Sequence, residues 1–153
     1  MPNINSFEQA PEKGSVDLSF HGSVVSARVK EGESAALTTG QGVQIVDNDN
    51  GIPDVTAMTA DTQFAFGFIT RNVKDVSYAA EKRCEVAMQG TAIYLEAGAA
   101  IARGANVEYD VSADKVITSA GTNPICGYAY DKAAADGDLI RVILITPKLV
   151  ASV

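Results

Sequence analysis

The sequence predicts an all-β fold, a compact barrel or sandwich made of two related strand-turn-strand repeats with little helix and an extended N-terminal arm. Three observations carry the prediction. Segments of four to eight residues rich in Val, Ile, Phe and Tyr recur about every ten residues, the strand spacing of sandwiches and barrels. Gly, Asn and Asp punctuate them, and these residues favour turns. The stretch beginning at Glu31 also lays over the stretch beginning at Glu96, placing Leu37 on Ile101, Gly40 on Gly104 and Val43 on Val107.

Taken in order, residues 1–20 belong to neither repeat. Pro2, Asn3, Asn5, Pro11, Lys13 and Gly14 suit no core, and Ile4, Phe7 and Phe20 are isolated apolar points, so the segment reads as a frayed end or an arm that orders on a partner. One β domain is expected over 21–153. Ser23–Val29 alternates, with Val25, Ala27 and Val29 on one side. Gln44–Val46 and Val55–Ala57 flank Asp47-Asn48-Asp49-Asn50-Gly51, where Asn50-Gly51 suits the positive φ angles of a tight hairpin. Gln63–Ile69 alternates so as to gather Phe64, Phe66 and Phe68 into one core stripe. A second hairpin follows, with Val107, Tyr109 and Val111 opposite Lys115–Thr118 across a turn at Ser112–Asp114.

The likeness of the halves continues to the end. Val55-Thr56 answers Ile117-Thr118, Phe66-Gly67-Phe68 answers Cys126-Gly127-Tyr128, and Val86–Met88 answers Val142–Leu144, which sets repeats at about 23–89 and 90–146. Two copies are too few for a solenoid, so the halves are expected to pack around one core. The Ala-rich links near 74–83 and 130–138 permit a helical turn, but Gly137 and the Asp residues favour short excursions.

The bulk properties bound the function. A chain of 153 residues buries roughly 68–70% of the surface its unfolded form exposes, enough to fold without disulfides or metal. A net charge of −7 and no basic stripe argue against nucleic acid, whose phosphates need clustered Lys and Arg. The longest apolar stretch, near Leu139–Ile145, falls far short of a membrane span, and the first residues lack an apolar core of signal-peptide length.

Candidate chemistry is sparse. His21 has no Cys, Ser or second His near it in sequence and reads as a surface or edge residue. Cys84 and Cys126 lack zinc or redox spacing and read as buried thiols, although spacing alone leaves a bridge between them open. Asp47–Gly51 resembles a calcium loop, yet an EF-hand starting at Asp47 needs Gly at 52 and Glu at 58, where Ile52 and Met58 stand. Gly40-Gln41-Gly42 lacks the Lys-Ser/Thr of a phosphate loop and leads into a strand, and Asp136-Gly137-Asp138 reads as a turn. No residue is assigned a catalytic, cofactor-binding or metal-ligating role. Polar loops between apolar strands describe a protein whose work is contact.

The second half carries a family resemblance. Glu96-Ala97-Gly98, Ile101–Gly104, Val107–Asp110, Lys115-Val116, Ile125–Ala129 and Ala134–Asp138 followed by Ile140–Leu144 resemble the capsid decoration, or cement, proteins of tailed bacteriophages. The resemblance implies a structural virion protein without a cofactor that is made in the host cytoplasm. Such a protein binds the outer surface of an assembled head and clamps neighbouring major capsid subunits, usually as a homotrimer. It also implies an arm reaching over the shell, for which Ile4, Phe7 and Phe20 are the candidate contacts. Phe20, adjoining the first strand, is open to capping its own barrel instead. The alternative is a module binding carbohydrate or a host surface, against which the modest aromatic content and absence of Trp weigh. A hydrolase using scattered carboxylates has no supporting motif.

Overall fold

A computed structural model describes residues 10–49, 51–72 and 74–149. Among them it contains thirteen strands and no helix. A short leading strand, β1 (Val16–Asp17), precedes two units. The first comprises β2 (Val24–Val29), β3 (Leu37–Thr38), β4 (Gly42–Val46), β5 (Asp54–Ala57), β6 (Gly67–Ile69), β7 (Ser77–Tyr78) and β8 (Arg83–Ala87). The second comprises β9 (Ala92–Glu96), β10 (Asn106–Asp110), β11 (Lys115–Thr118), β12 (Ile125–Ala129) and β13 (Leu139–Lys148). The all-β expectation holds, and the Ala-rich links form turns, the short strand β7 and a bridge at Ala133 rather than helix.

The first unit is a closed barrel in the order β2-β5-β4-β6-β8, and the second is a sheet in the order β1-β9-β13-β12-β10-β11. Register shows that they repeat one design. The pairs Val43↔Gly67 and Phe68↔Ala87 recur as Val107↔Gly127 and Tyr128↔Ile143. Closure recurs as well. Val29 pairs in parallel with Val55 in the first unit, and Ala97 bridges in parallel to Val116 in the second. The next N–H bonds back in both, from Lys30 to Val55 O at 2.9 Å and from Gly98 to Val116 O at 2.8 Å. The second sheet therefore curls nearly shut.

Glycine marks the shared core. A Cβ on Gly67 would lie 2.4 Å from both Ala87 O and Val86 Cγ1, and one on Gly127 would lie 2.5 Å from Ile143 O and 2.7 Å from Val142 Cγ1. Neighbouring strands approach too closely at this position for any side chain.

Several expectations change in detail. The hairpin alignment slips by one residue. Ile45 faces Val55 and Tyr109 faces Val116, so Val55-Thr56 answers Val116-Ile117 rather than Ile117-Thr118. A one-residue slip swaps faces, and both Val55 and Val116 are fully buried. The β4–β5 connection is a loop closed by Asn48 Nδ2 donating to Ile52 O at 3.0 Å, and Gly51 is not among the positive-φ glycines; Asn50 lies outside the described residues. The Phe stripe does not form, because regular strand begins only at Gly67. Phe64 is exposed, Phe66 packs against the first unit's cluster, and Phe68 joins the other cluster.

The apolar interior also divides in two rather than forming one core. One cluster fills the first barrel around Val29, Val43, Ile69 and Val86; the other joins Ile93, Leu95, Val107 and Val142 of the second unit to Met58, Phe68 and Ala87 of the first.

The segment expected as an arm is built into the fold from residue 12 onward. Val16 pairs with Ile93 and Asp17 with Ala92. Gly14 N donates to Tyr94 O and Arg71 N donates to Gly14 O, both at 2.8 Å, while Lys13 reaches Asp114 at 2.6 Å. Ile4 and Phe7 lie outside the described residues.

Candidate contact surface

Several charged side chains form ion pairs that tie elements of the fold together. Arg28 holds Asp54 through two bonds of 2.8 and 2.9 Å, Lys115 lies between Glu96 and Asp136, and Arg71 meets Glu12. Buried Glu108 accepts from Ala120 N at 3.2 Å and Asn123 Nδ2 at 3.1 Å. Among the described residues, no group of three or more His, Cys, Asp or Glu side chains could hold a metal. His21 is exposed. Cys84 and Cys126 are free and buried in different clusters, and burial pushes their thiols up to about 11 and about 12.

The outer face of the second unit offers a built surface. Arg141, on β13, donates from Nε and Nη2 to the two carboxylate oxygens of Asp131, each at 2.8 Å, and from Nη1 to Asp17 at 3.0 Å. Hydrogen bonds from Ser19, then from Arg141, bring the Asp17 carboxyl down to about 2; the Arg141 bonds also lower that of Asp131. The guanidinium lies 4.6 Å from the centre of the Tyr130 ring, and Phe20 meets that ring edge-on at 5.1 Å. Phe20 is thus half-buried against its own protein. Beside these groups, Arg103, Gly104, Tyr128 and Ala129 help line an open cavity of about 460 Å³.

The first unit shows how the equivalent place is filled. Gly40 N bonds Ile69 O and Gly104 N bonds Ala129 O, each at 2.7 Å, so Thr39, Gly40 and Arg71 correspond to Arg103, Gly104 and Asp131. Over Thr39, Gly40 and Arg71 lie Lys13 and Gly14, so closely that a Cβ on Gly14 would stand 2.7 Å from Thr39 Cβ. A Cβ on Gly104 would meet nothing within 4 Å.

Of the candidate contacts read from sequence, the described residues therefore include Phe20 alone. The surface residues Tyr128, Tyr130, Arg103 and Arg141 were not singled out from sequence. The available signal was the repeat alignment, which sets Tyr128 opposite Phe68 and so exchanges a wholly apolar ring for one with a polar tip.

Fold and surface together define a contact protein built of one closed barrel and one strongly curled sheet, with exposed aromatic groups. A family model for phage cement proteins matches residues 34–144, and the chain belongs to that family. The family places it among the capsid-associated structural proteins of phages, in keeping with the resemblance seen in the second half. Among solved structures, the head fiber gp8.5 N base of bacteriophage phi29 is similar, with a TM-score of 0.55 and 16% sequence identity, over 85% of this chain and 99% of that one. At that identity the likeness is one of fold. No curated protein matches the chain. Among the described residues no helix is long and apolar enough to cross a membrane.

Proposed function

We propose that this protein binds the outer surface of a phage head and clamps neighbouring major capsid subunits against the pressure of the packaged genome, acting as a homotrimer. The family match over residues 34–144 is the observation that carries the reading. The structure supports it with a rigid frame and a surface suited to contact. A clamp needs many modest contacts rather than one strong one. If each copy buries a standard interface of roughly 1,200–2,000 Å² and a trimer engages several sites at once, avidity multiplies the individual affinities.

Ile4, Phe7 and Phe20 are the proposed apolar anchors, with Phe20 presented to the shell from its seat on Tyr130. The test is co-sedimentation of the purified protein with undecorated heads. Binding at a fixed ratio is expected, and absence of binding sinks the reading. A chain lacking residues 1–9 is expected to lose head binding while unfolding at the same urea concentration. A cut through residue 14 is unsuitable because Lys13 and Gly14 hold the fold together. The exposed Tyr128 and Tyr130 give a glycan-binding reading its one specific support. Retention on a glycan array without head binding would favour that reading.

A further inference from the structure

The two units join through surfaces that each unit possesses but uses only once. Phe68, 1% exposed, stands on the outer face of the first barrel beside Met58 and Ala87 and is set against the second unit. There it meets Tyr109 edge-on, with ring centres 5.3 Å apart. Tyr109 lies toward the hairpin end of its sheet, so the contact works as a plug, Phe68, in a mouth floored by Tyr109.

Register identifies the counterparts. Phe68 pairs with Ala87 as Tyr128 pairs with Ile143, so the second unit's plug is Tyr128. Ile45 pairs with Val55 as Tyr109 pairs with Val116, so the first unit's mouth is floored by Ile45. Both counterparts are open, Tyr128 at 40% and Ile45 at 57% exposure. Ile45 sits in a concavity of about 390 Å³ walled by Val46, Asp47, Ile52 and Pro53.

We infer that copies of this chain associate head to tail, with Tyr128 of one copy seated at Ile45 of the next, repeating between molecules the contact that Phe68 and Tyr109 make within one. The plug face carries the uncharged Asn106 and Ser119 beside Tyr128, which suits the centre of an interface. Opposite charges flank the two surfaces. Arg103 adjoins Tyr128 and Asp47 adjoins Ile45, and neither has an ion-pair partner among the described residues. Two different surfaces meet, so the contact is heterologous; it closes a ring where the rotation allows and otherwise grows an open chain. The inference deepens the self-association proposed above by naming its surfaces, and it does not depend on capsid binding.

The test uses the full chain without heads. Gly51→Cys and Asn106→Cys proteins, which set a thiol beside each surface and keep Ile45 and Tyr128, are treated with a short bis-maleimide linker, separately and mixed. Cys84 and Cys126 are buried, so the folded protein presents only the introduced thiol. A head-to-tail contact gives about tenfold more covalent dimer in the mixture than in either protein alone, since the contact brings unlike positions together. Equal yields in all three samples overturn the inference. In sedimentation, Ile45→Asp and Tyr128→Ser are each expected to weaken self-association about tenfold or more, as loss of a central apolar anchor does. Val76→Ser, at an exposed site elsewhere, leaves it unchanged. A wild-type protein that stays monomeric at all concentrations, or variants that associate as it does, also overturn the inference. Urea unfolding of each variant checks that the fold is intact. Loss of head binding and loss of head-to-tail contact are read in separate assays, so one can fail without the other.

Discussion

The first and second units share strand order, closing bridge and a side-chain-free glycine, yet they spend the same positions differently. Phe68 is buried between the units, whereas its counterpart Tyr128 faces outward. Thr39, Gly40 and Arg71 lie beneath Lys13 and Gly14, whereas Arg103, Gly104 and Asp131 border an open cavity. The backbone register fixes what the barrels have in common. What differs is which outer faces are covered, and that is decided by a few side chains and by the chain that leads into the first barrel.

Substitution at the plug positions separates the units most sharply. Phe68→Ala removes a buried ring and is expected to cost about 3–5 kcal/mol, while Tyr128→Ala should stay within about 0.5 kcal/mol for the single molecule. Urea unfolding at low protein concentration measures both, and similar losses would show that the second face is not free. At the shared glycine the units should instead agree. Gly67→Ala and Gly127→Ala each drive a methyl into strand backbone and are expected to cost about 2–3 kcal/mol. A harmless substitution at one of them would break the equivalence.

Acid should act on both units, through Asp54, whose carboxyl Arg28 holds low in the first, and through the Arg141 cluster in the second. Asp17 and Asp131 both have carboxyls held low in the folded state, Asp17 at about 2, with Arg141 bonding each of them. Their contribution is therefore complete above the unfolded value of about 3.9 and drains away as pH falls toward 2. In the first unit the positions of Arg141 and Asp131 hold Glu85 and Arg71, joined by no ion pair in the described residues. Arg141→Gln is expected to move acid unfolding, followed by circular dichroism, to higher pH. An unmoved midpoint would mean the cluster does not govern acid stability. The smallest effect concerns the thiols. Iodoacetamide at pH 8 should modify neither cysteine in the folded protein, since both are buried with thiols shifted upward, and both should become reactive once urea unfolds the chain. Peptide mapping by mass spectrometry reads the modification, and labelling of either thiol without urea would show that it is not shielded.

Much of the architecture was legible because the repeat is written in residues that permit few alternatives. Gly67 and Gly127 align, Gly40 and Gly104 both adopt positive φ, and valines recur at the buried ladder positions. Where side chains alone carried the signal, the reading slipped. Val55 and Ile117 look alike in composition, and only the ladder shows that Val116 is the true counterpart. Phe64, Phe66 and Phe68 alternate as a strand would, but period-two spacing cannot reveal that the chain is irregular before Gly67. The pairing of Val16 with Ile93 joins residues distant in sequence, and nothing in the polar leader announced it. The contact surface was least legible, since Tyr128 and Ile45 are ordinary strand residues whose exposure depends on which faces the two barrels leave uncovered.

Gly14 sits at the seam between the barrels, its carbonyl held by Arg71 of one and its N–H donated to Tyr94 of the other. Next to it, Lys13 is fastened to Asp114. Any pull arriving along the chain from before Ala10 therefore meets Glu12 on Arg71, Lys13 on Asp114 and both bonds of Gly14 before it reaches the leading strand. Tension applied there is divided between the two units instead of falling directly on the two-residue edge strand.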